Sequence, residues 1–175
     1  MTTDINNHWK ATVGLMISPS ANAFSTRLFL GLVAGALAML LCHQTSLQLL
    51  YWCGLIQHPA FRLASVPPFN VPMIVSVTFW GALFGAILNM LPTLPARVSV
   101  RGLVNSLFAI LMVWFFVRPI AGHGVAFGWN PHAMAASAFA GLCWGYGVAV
   151  IQPVLHPRCL LQRSRNWARD RHLAT

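Results

Sequence analysis

The sequence predicts an all-α fold: an integral membrane bundle of four transmembrane helices. Three observations carry that prediction: a scarcity of charge, four long apolar runs, and a lopsided distribution of arginine. Of 175 residues, 57% are hydrophobic and only 7% are charged, against about a quarter charged in an ordinary soluble domain. A chain of this length has too small an interior to hide so much apolar surface from water. Its main solvent is therefore lipid.

About 20 apolar residues cross a ~30 Å hydrocarbon layer. Residues 1–27 form a polar N-terminal segment, residues 28–152 the transmembrane domain, and residues 153–175 a basic tail. Within the domain the expected spans are 28–50, 71–91, 103–117 and 133–151. The first opens at Arg27 and closes at Tyr51-Trp52; the second follows Pro67-Pro68 and ends at Pro92. The third lies between Arg101 and Arg118-Pro119, and the fourth starts after Asn130-Pro131-His132 and stops at Pro153. Prolines and aromatics at these ends suit helix boundaries at a membrane interface. The first run is longer than the apolar stretch of a signal peptide, so it is expected to be retained.

Four spans put both termini on one side. That side holds Lys10, Arg27, Arg97, Arg101, Arg158, Arg163, Arg165, Arg169 and Arg171, whereas only Arg62 and Arg118 fall on the other. Cytoplasmic flanks carry such an excess, so both termini are expected in the cytoplasm. The net charge of +9 then reads as attraction to anionic lipid headgroups, and no nucleic-acid partner is expected. With Asp4 and Asp170 as the sole acidic side chains, paired-carboxylate catalysis has no material; no enzymatic activity is expected. Cys42, Cys53, Cys143 and Cys159 show no CxxC spacing, and neither a zinc site nor a disulfide framework follows.

Helices in lipid associate through close packing and interhelical hydrogen bonds. Glycine faces of the GxxxG kind are present: Gly31 and Gly35 with Ala38, Cys42 and Ser46 on helix one, Gly81 and Gly85 with Thr78 and Asn89 on helix two, and Gly141 and Gly145 with Ser137, Ala138 and Gln152 on helix four. Helix three shows no such stripe, and its Phe108, Phe115 and Phe116 suggest a lipid-facing or space-filling position. Phe79-Trp80-Gly81-Ala82-Leu83-Phe84-Gly85 resembles Phe139-Ala140-Gly141-Leu142-Cys143-Trp144-Gly145. Two similar helical hairpins would produce this, and so would simple recurrence of GxxxG in membrane helices.

Among intramembrane polar residues, Asn89, Asn105 and Gln152 lie near one boundary on three helices and suggest an interhelical polar layer. His43, with Gln44 beside it, is an ionisable side chain inside a span, which marks a functional hypothesis. Three readings of His43 stand: a haem or metal ligand with His58, His123 or His132, a proton relay or solute site, or a neutral histidine hydrogen-bonded to a neighbouring helix. Arg118, on the poorly charged side, either reaches to headgroups or faces an anionic ligand or partner subunit. The run Val66-Pro67-Pro68-Phe69-Asn70-Val71-Pro72 suits a rigid turn into helix two.

His43-Gln44, Pro67-Pro68-Phe69, Val71-Pro72, Ser76, Phe79-Trp80-Gly81 and Gly85 together resemble a family of small proteobacterial inner-membrane proteins. The resemblance covers the first two helices and implies a four-helix inner-membrane protein without an assigned activity or catalytic residues. The function expected is that of a structural or accessory subunit, assembling with itself or a larger membrane complex through the glycine faces. The alternatives are a small solute or ion carrier using His43 and the Asn89/Asn105/Gln152 layer, and a haem- or metal-binding protein using the outer histidines.

Overall fold

The computed structural model of the chain describes residues 19–66, 70–91 and 97–155. Four helices are long and apolar enough to cross a membrane, so the chain is an all-α, multi-pass membrane protein. The first span, Phe24–Trp52, runs through α1 (Pro19–Ala38), a π-helical turn (Met39–His43) and α2 (Gln44–Trp52). The second is α3 (Met73–Met90). The third, Val98–Ile120, comprises α4 (Val98–Met112), a second π-turn (Val113–Val117) and α5 (Arg118–Ile120); the fourth is α6 (Pro131–Leu155). A small antiparallel hairpin, β1 (Ser65–Val66) with β2 (Val71–Pro72), lies in the first connecting loop.

Several boundaries differ from those expected. Helix starts at Pro19, inside the segment read as a polar N-terminal region. The third span is longer than 103–117, for Arg101 and Arg118 fall within its terminal turns. Pro153 does not stop the fourth span, which runs on to Leu155; so near a helix end the ring removes a single ladder bond. Pro119 also has a visible effect. It cannot donate to the carbonyl four residues back, and its ring crowds that carbonyl. The preceding turn is π-helical, with the Arg118 N–H on the carbonyl of Val113.

Packing follows the small residues. A Cβ built on Gly31 would lie 2.8 Å from the Cα of Ala86, and one on Gly85 would lie 2.8 Å from the Cα of Gly35. The Gly31/Gly35 and Gly81/Gly85 pairs thus face each other backbone to backbone, antiparallel, inside one chain. The fourth span does the same against the third: a Cβ on Gly145 would come within 2.7 Å of the Cα of Ser106, and one on Gly141 within 2.7 Å of Ile110. Its Gly147 turns instead to the first span, where a Cβ would meet Cys42 Sγ at 2.6 Å and Ala38 Cβ at 3.1 Å. The spatial order is second, first, fourth, third.

The second and third spans meet through aromatic rings. Phe84 stands edge-on to Phe108 with centroids 5.7 Å apart, and edge-on to Trp144 at 6.5 Å. These rings fill the bundle axis together with Ala38, Met39, Leu88, Ala109 and Val148. Phe84 and Trp144 occupy equivalent places in the two similar glycine runs, as do Gly85 and Gly145. In each run the glycine packs on the partner helix of its own hairpin, while the aromatic residue turns to the other hairpin.

One expectation is corrected. Helix three does carry a small face, for Gly102, Asn105, Ser106 and Ala109 are all buried. Gly102 and Ser106 are four residues apart, the small-xxx-small spacing. Phe115 and Phe116, which suggested a lipid-facing helix, are exposed at its far end. The helix turns one face each way.

The glycine contacts differ in what they would tolerate. A Cβ at position 35 meets Gly81 backbone, whereas one at position 81 meets the flexible Met39 side chain first. Gly35→Ala should therefore cost about 1–3 kcal/mol of stability, the range for overpacking, and Gly81→Ala distinctly less. Denaturant unfolding in detergent micelles checks this order; equal effects would contradict the packing described.

Candidate functional site

His43 ends the first π-turn, which inserts one residue into the helical repeat and shifts the phase of α2 relative to α1. The side chain is largely enclosed, and its Nδ1 is buried without a hydrogen-bond partner. Any bond tying the ring to a neighbouring helix must therefore use Nε2. Cys42, beside it, packs on Gly147 of the fourth span. His58, His123 and His132 are exposed on the loops or at the start of α6. Among the described residues no three His, Cys, Asp or Glu side chains gather as a ligand set.

Gln44 has a definite partner. Its Oε1 accepts the Phe61 N–H at 3.0 Å, and one turn along Gln48 Oε1 accepts the Ala60 N–H at 3.1 Å. Residues four apart share a helix face, so the two carboxamides clamp the first loop along α2. Phe61 is held there with a left-handed φ of 55°, a conformation that costs a residue with a Cβ about 1–2 kcal/mol. The loop then caps α3: Ala64 and Arg62 carbonyls accept the Met73 and Ile74 N–H groups at 2.9 and 3.1 Å. Pro67, Pro68 and Phe69 lie outside the described residues.

Of the three carboxamides expected to form one layer, Asn89 and Asn105 bond to backbone instead. Asn89 donates to the Arg27 carbonyl at 2.5 Å, joining spans two and one. Asn105, fully buried, donates to the Gly145 carbonyl at 3.4 Å, and its Oδ1 has no partner. Gln152 is buried on the fourth span. Two further bonds, unforeseen from sequence, join the helices. Trp144 Nε1–H donates to the Gly35 carbonyl at 3.0 Å, and Ser106 Oγ donates to the Leu142 carbonyl at 3.2 Å. The Trp144 bond lands on a glycine, where no side chain covers the carbonyl.

The second loop contains the most unusual backbone. Gly122, at φ 76°, ends the third span with the His123 N–H on the Arg118 carbonyl and the Gly122 N–H on the Pro119 carbonyl, a Schellman stop. Ala126, Phe127, Gly128 and Trp129 then run in succession at φ 47°, 58°, 62° and 61°. Only one of these four is glycine, so the left-handed turn is strained. Burial of Ala126 and a cation–π contact hold it: the Arg118 guanidinium carbon sits 3.7 Å above the Phe127 ring centre. Arg118 Nε is buried and unpartnered. Asn130 then caps α6, its Oδ1 accepting the Ala133 N–H at 3.2 Å. The glycine richness of this loop was visible in the sequence, but its handedness was not.

No family model, curated protein or solved structure matches the chain. The family resemblance thus rests on the residues quoted for it.

Gln44→Leu should leave the Phe61 N–H without an acceptor, at a cost of roughly 1–3 kcal/mol. Hydrogen exchange at Phe61 should quicken by about tenfold or more while Ala60, held by Gln48, changes less. Unchanged protection at Phe61 would contradict the clamp.

Proposed function

We propose that this chain is a structural or accessory subunit of a bacterial inner membrane, with both termini cytoplasmic. The observation that carries this reading is the filled interior. Trp144, Phe84, Leu88 and Val148 occupy the axis where a solute path would run. The Asn105 amide N–H and the Ser106 hydroxyl donate to neighbouring carbonyls. A partner would dock elsewhere than on the glycine faces, because Gly31, Gly35, Gly81, Gly85, Gly141 and Gly145 are buried within the chain.

The carrier reading is favoured by one observation, the partnerless Nδ1 of His43. An intramembrane histidine without a bond at one nitrogen fits a group that exchanges protons or meets a solute. The residue's position at the end of the π-turn agrees with the frequent occurrence of such turns at functional sites.

Two measurements separate these readings. Blue-native electrophoresis of membranes from the source cell should find the 19.2 kDa chain in a larger particle, and His43→Ala should leave that particle intact. A monomer throughout, with proteoliposome flux abolished by His43→Ala, would establish the carrier instead. A reporter fused after Thr175 should be active in the cytoplasm; activity outside it would overturn the arginine-based orientation.

A further inference from the structure

Between the first and second spans, near the loop end, lies an open apolar groove of about 450 Å³, lined by Leu40, Ile74, Val75, Thr78, Phe79 and Ala82. It exists for two local reasons. Leu40 stands in the π-turn, where the first helix changes phase, and Ala82 presents only a methyl group. Thr78, its one polar lining residue, turns its hydroxyl back to the Ile74 carbonyl at 2.7 Å. The groove therefore offers nothing for a polar ligand along its length. From Ile74 to Ala82 it extends about 12 Å at 1.5 Å per residue.

Its mouth differs in character. The main-chain carbonyl of Arg62 accepts the Ile74 N–H at 3.1 Å, and that of Ala64 accepts the Met73 N–H at 2.9 Å. These bonds pin the backbone of a cationic residue beside the first turn of α3, at the Ile74 end of the groove. No aspartate or glutamate stands among the described residues. The chain's two, Asp4 and Asp170, belong to segments that join it at the opposite end of the bundle, beyond Pro19 and Leu155. Among the described residues, Arg62 thus has no carboxylate partner. A long apolar slot inside the membrane and an arginine at its Ile74 end match the two halves of one molecule.

We propose that this groove seats an acyl chain of an anionic phospholipid whose phosphate is bound by Arg62. The π-turn and Ala82 shape the tail site, and the loop bonds to Ile74 and Met73 hold the headgroup site in register with it.

The test uses the full chain in phosphatidylcholine nanodiscs that contain a minor fraction of phosphatidylglycerol with a photoreactive group midway along its acyl chain. On irradiation, label should concentrate on Val75 and Phe79 relative to the comparably exposed Phe115 and Phe116. Arg62→Gln should reduce that labelling roughly fivefold, the ratio corresponding to about 1 kcal/mol for one basic residue at an anionic membrane surface. Ala82→Phe, which fills the groove, should abolish it. Arg62 lies in the loop, so its variant keeps the bundle intact for the test even if Ala82→Phe disturbs folding. Labelling merely proportional to exposure, equal labelling by the corresponding photoreactive phosphatidylcholine, or labelling unchanged by Arg62→Gln would overturn the proposal.

Discussion

The backbone contact between Gly31/Gly35 and Gly81/Gly85 is the constraint on which the rest of the structure depends. Lipid tails solvate leucine as well as another helix does, so association must come from contacts that lipid cannot supply. Two helices stripped of side chains at their crossing provide these through dense van der Waals packing. The Gly35 carbonyl, left uncovered, then receives the Trp144 N–H from the fourth span. One pair of close-packed helices thereby becomes the platform on which the second pair docks.

The second pair repeats the solution with different chemistry. Gly145 lies on Ser106, which contributes a hydroxyl bonded to both the Gly102 and Leu142 carbonyls. Gly102 makes room for the Tyr146 ring. Small residues set the approach and the aromatics fill what remains, with Phe84 edge-on to Phe108 across the side where spans two and three lack glycine contact. Among the described residues, left-handed backbone without glycine is confined to the loops, at Phe61, Asn70, Ala126, Phe127 and Trp129. There carboxamide clamps and a guanidinium–ring contact hold conformations that local preference disfavours.

Much of the bundle was legible because membrane helices announce themselves by length and composition. Gly31, Gly35, Gly81 and Gly85 could be read as packing residues, but not whom they faced, since GxxxG looks alike within a chain and between chains. The small face of helix three is hidden in the sequence because phenylalanines dominate its composition, while Gly102 and Ser106 lie at the opposite end. Asn89 and Asn105 suggested one shared layer from their similar depth; depth says nothing of azimuth, and each found a backbone carbonyl on a different helix. Gln44 draws attention in the sequence as a neighbour of His43, but Gln44 and Gln48, one turn apart, are the signal for a loop clamp. The π-turns had one cue, Pro119, and none near His43. The left-handed run at Ala126 to Trp129 depends on tertiary contacts of Arg118 that no local pattern encodes.

The central claim is that the glycine faces pair within a single chain. In a variant whose four native cysteines are replaced by alanine, Met39→Cys and Gly81→Cys place the new thiols on opposite sides of that contact, where the Cβ of Met39 lies 3.0 Å from a Cβ built on Gly81. That separation is near the span of a disulfide, about 3.5–4.5 Å between Cβ atoms. Oxidation of the membrane-embedded protein followed by non-reducing electrophoresis should give an internally linked monomer. A disulfide-linked dimer, or no linkage at all, would show that these faces meet another molecule or do not meet, and would contradict the account.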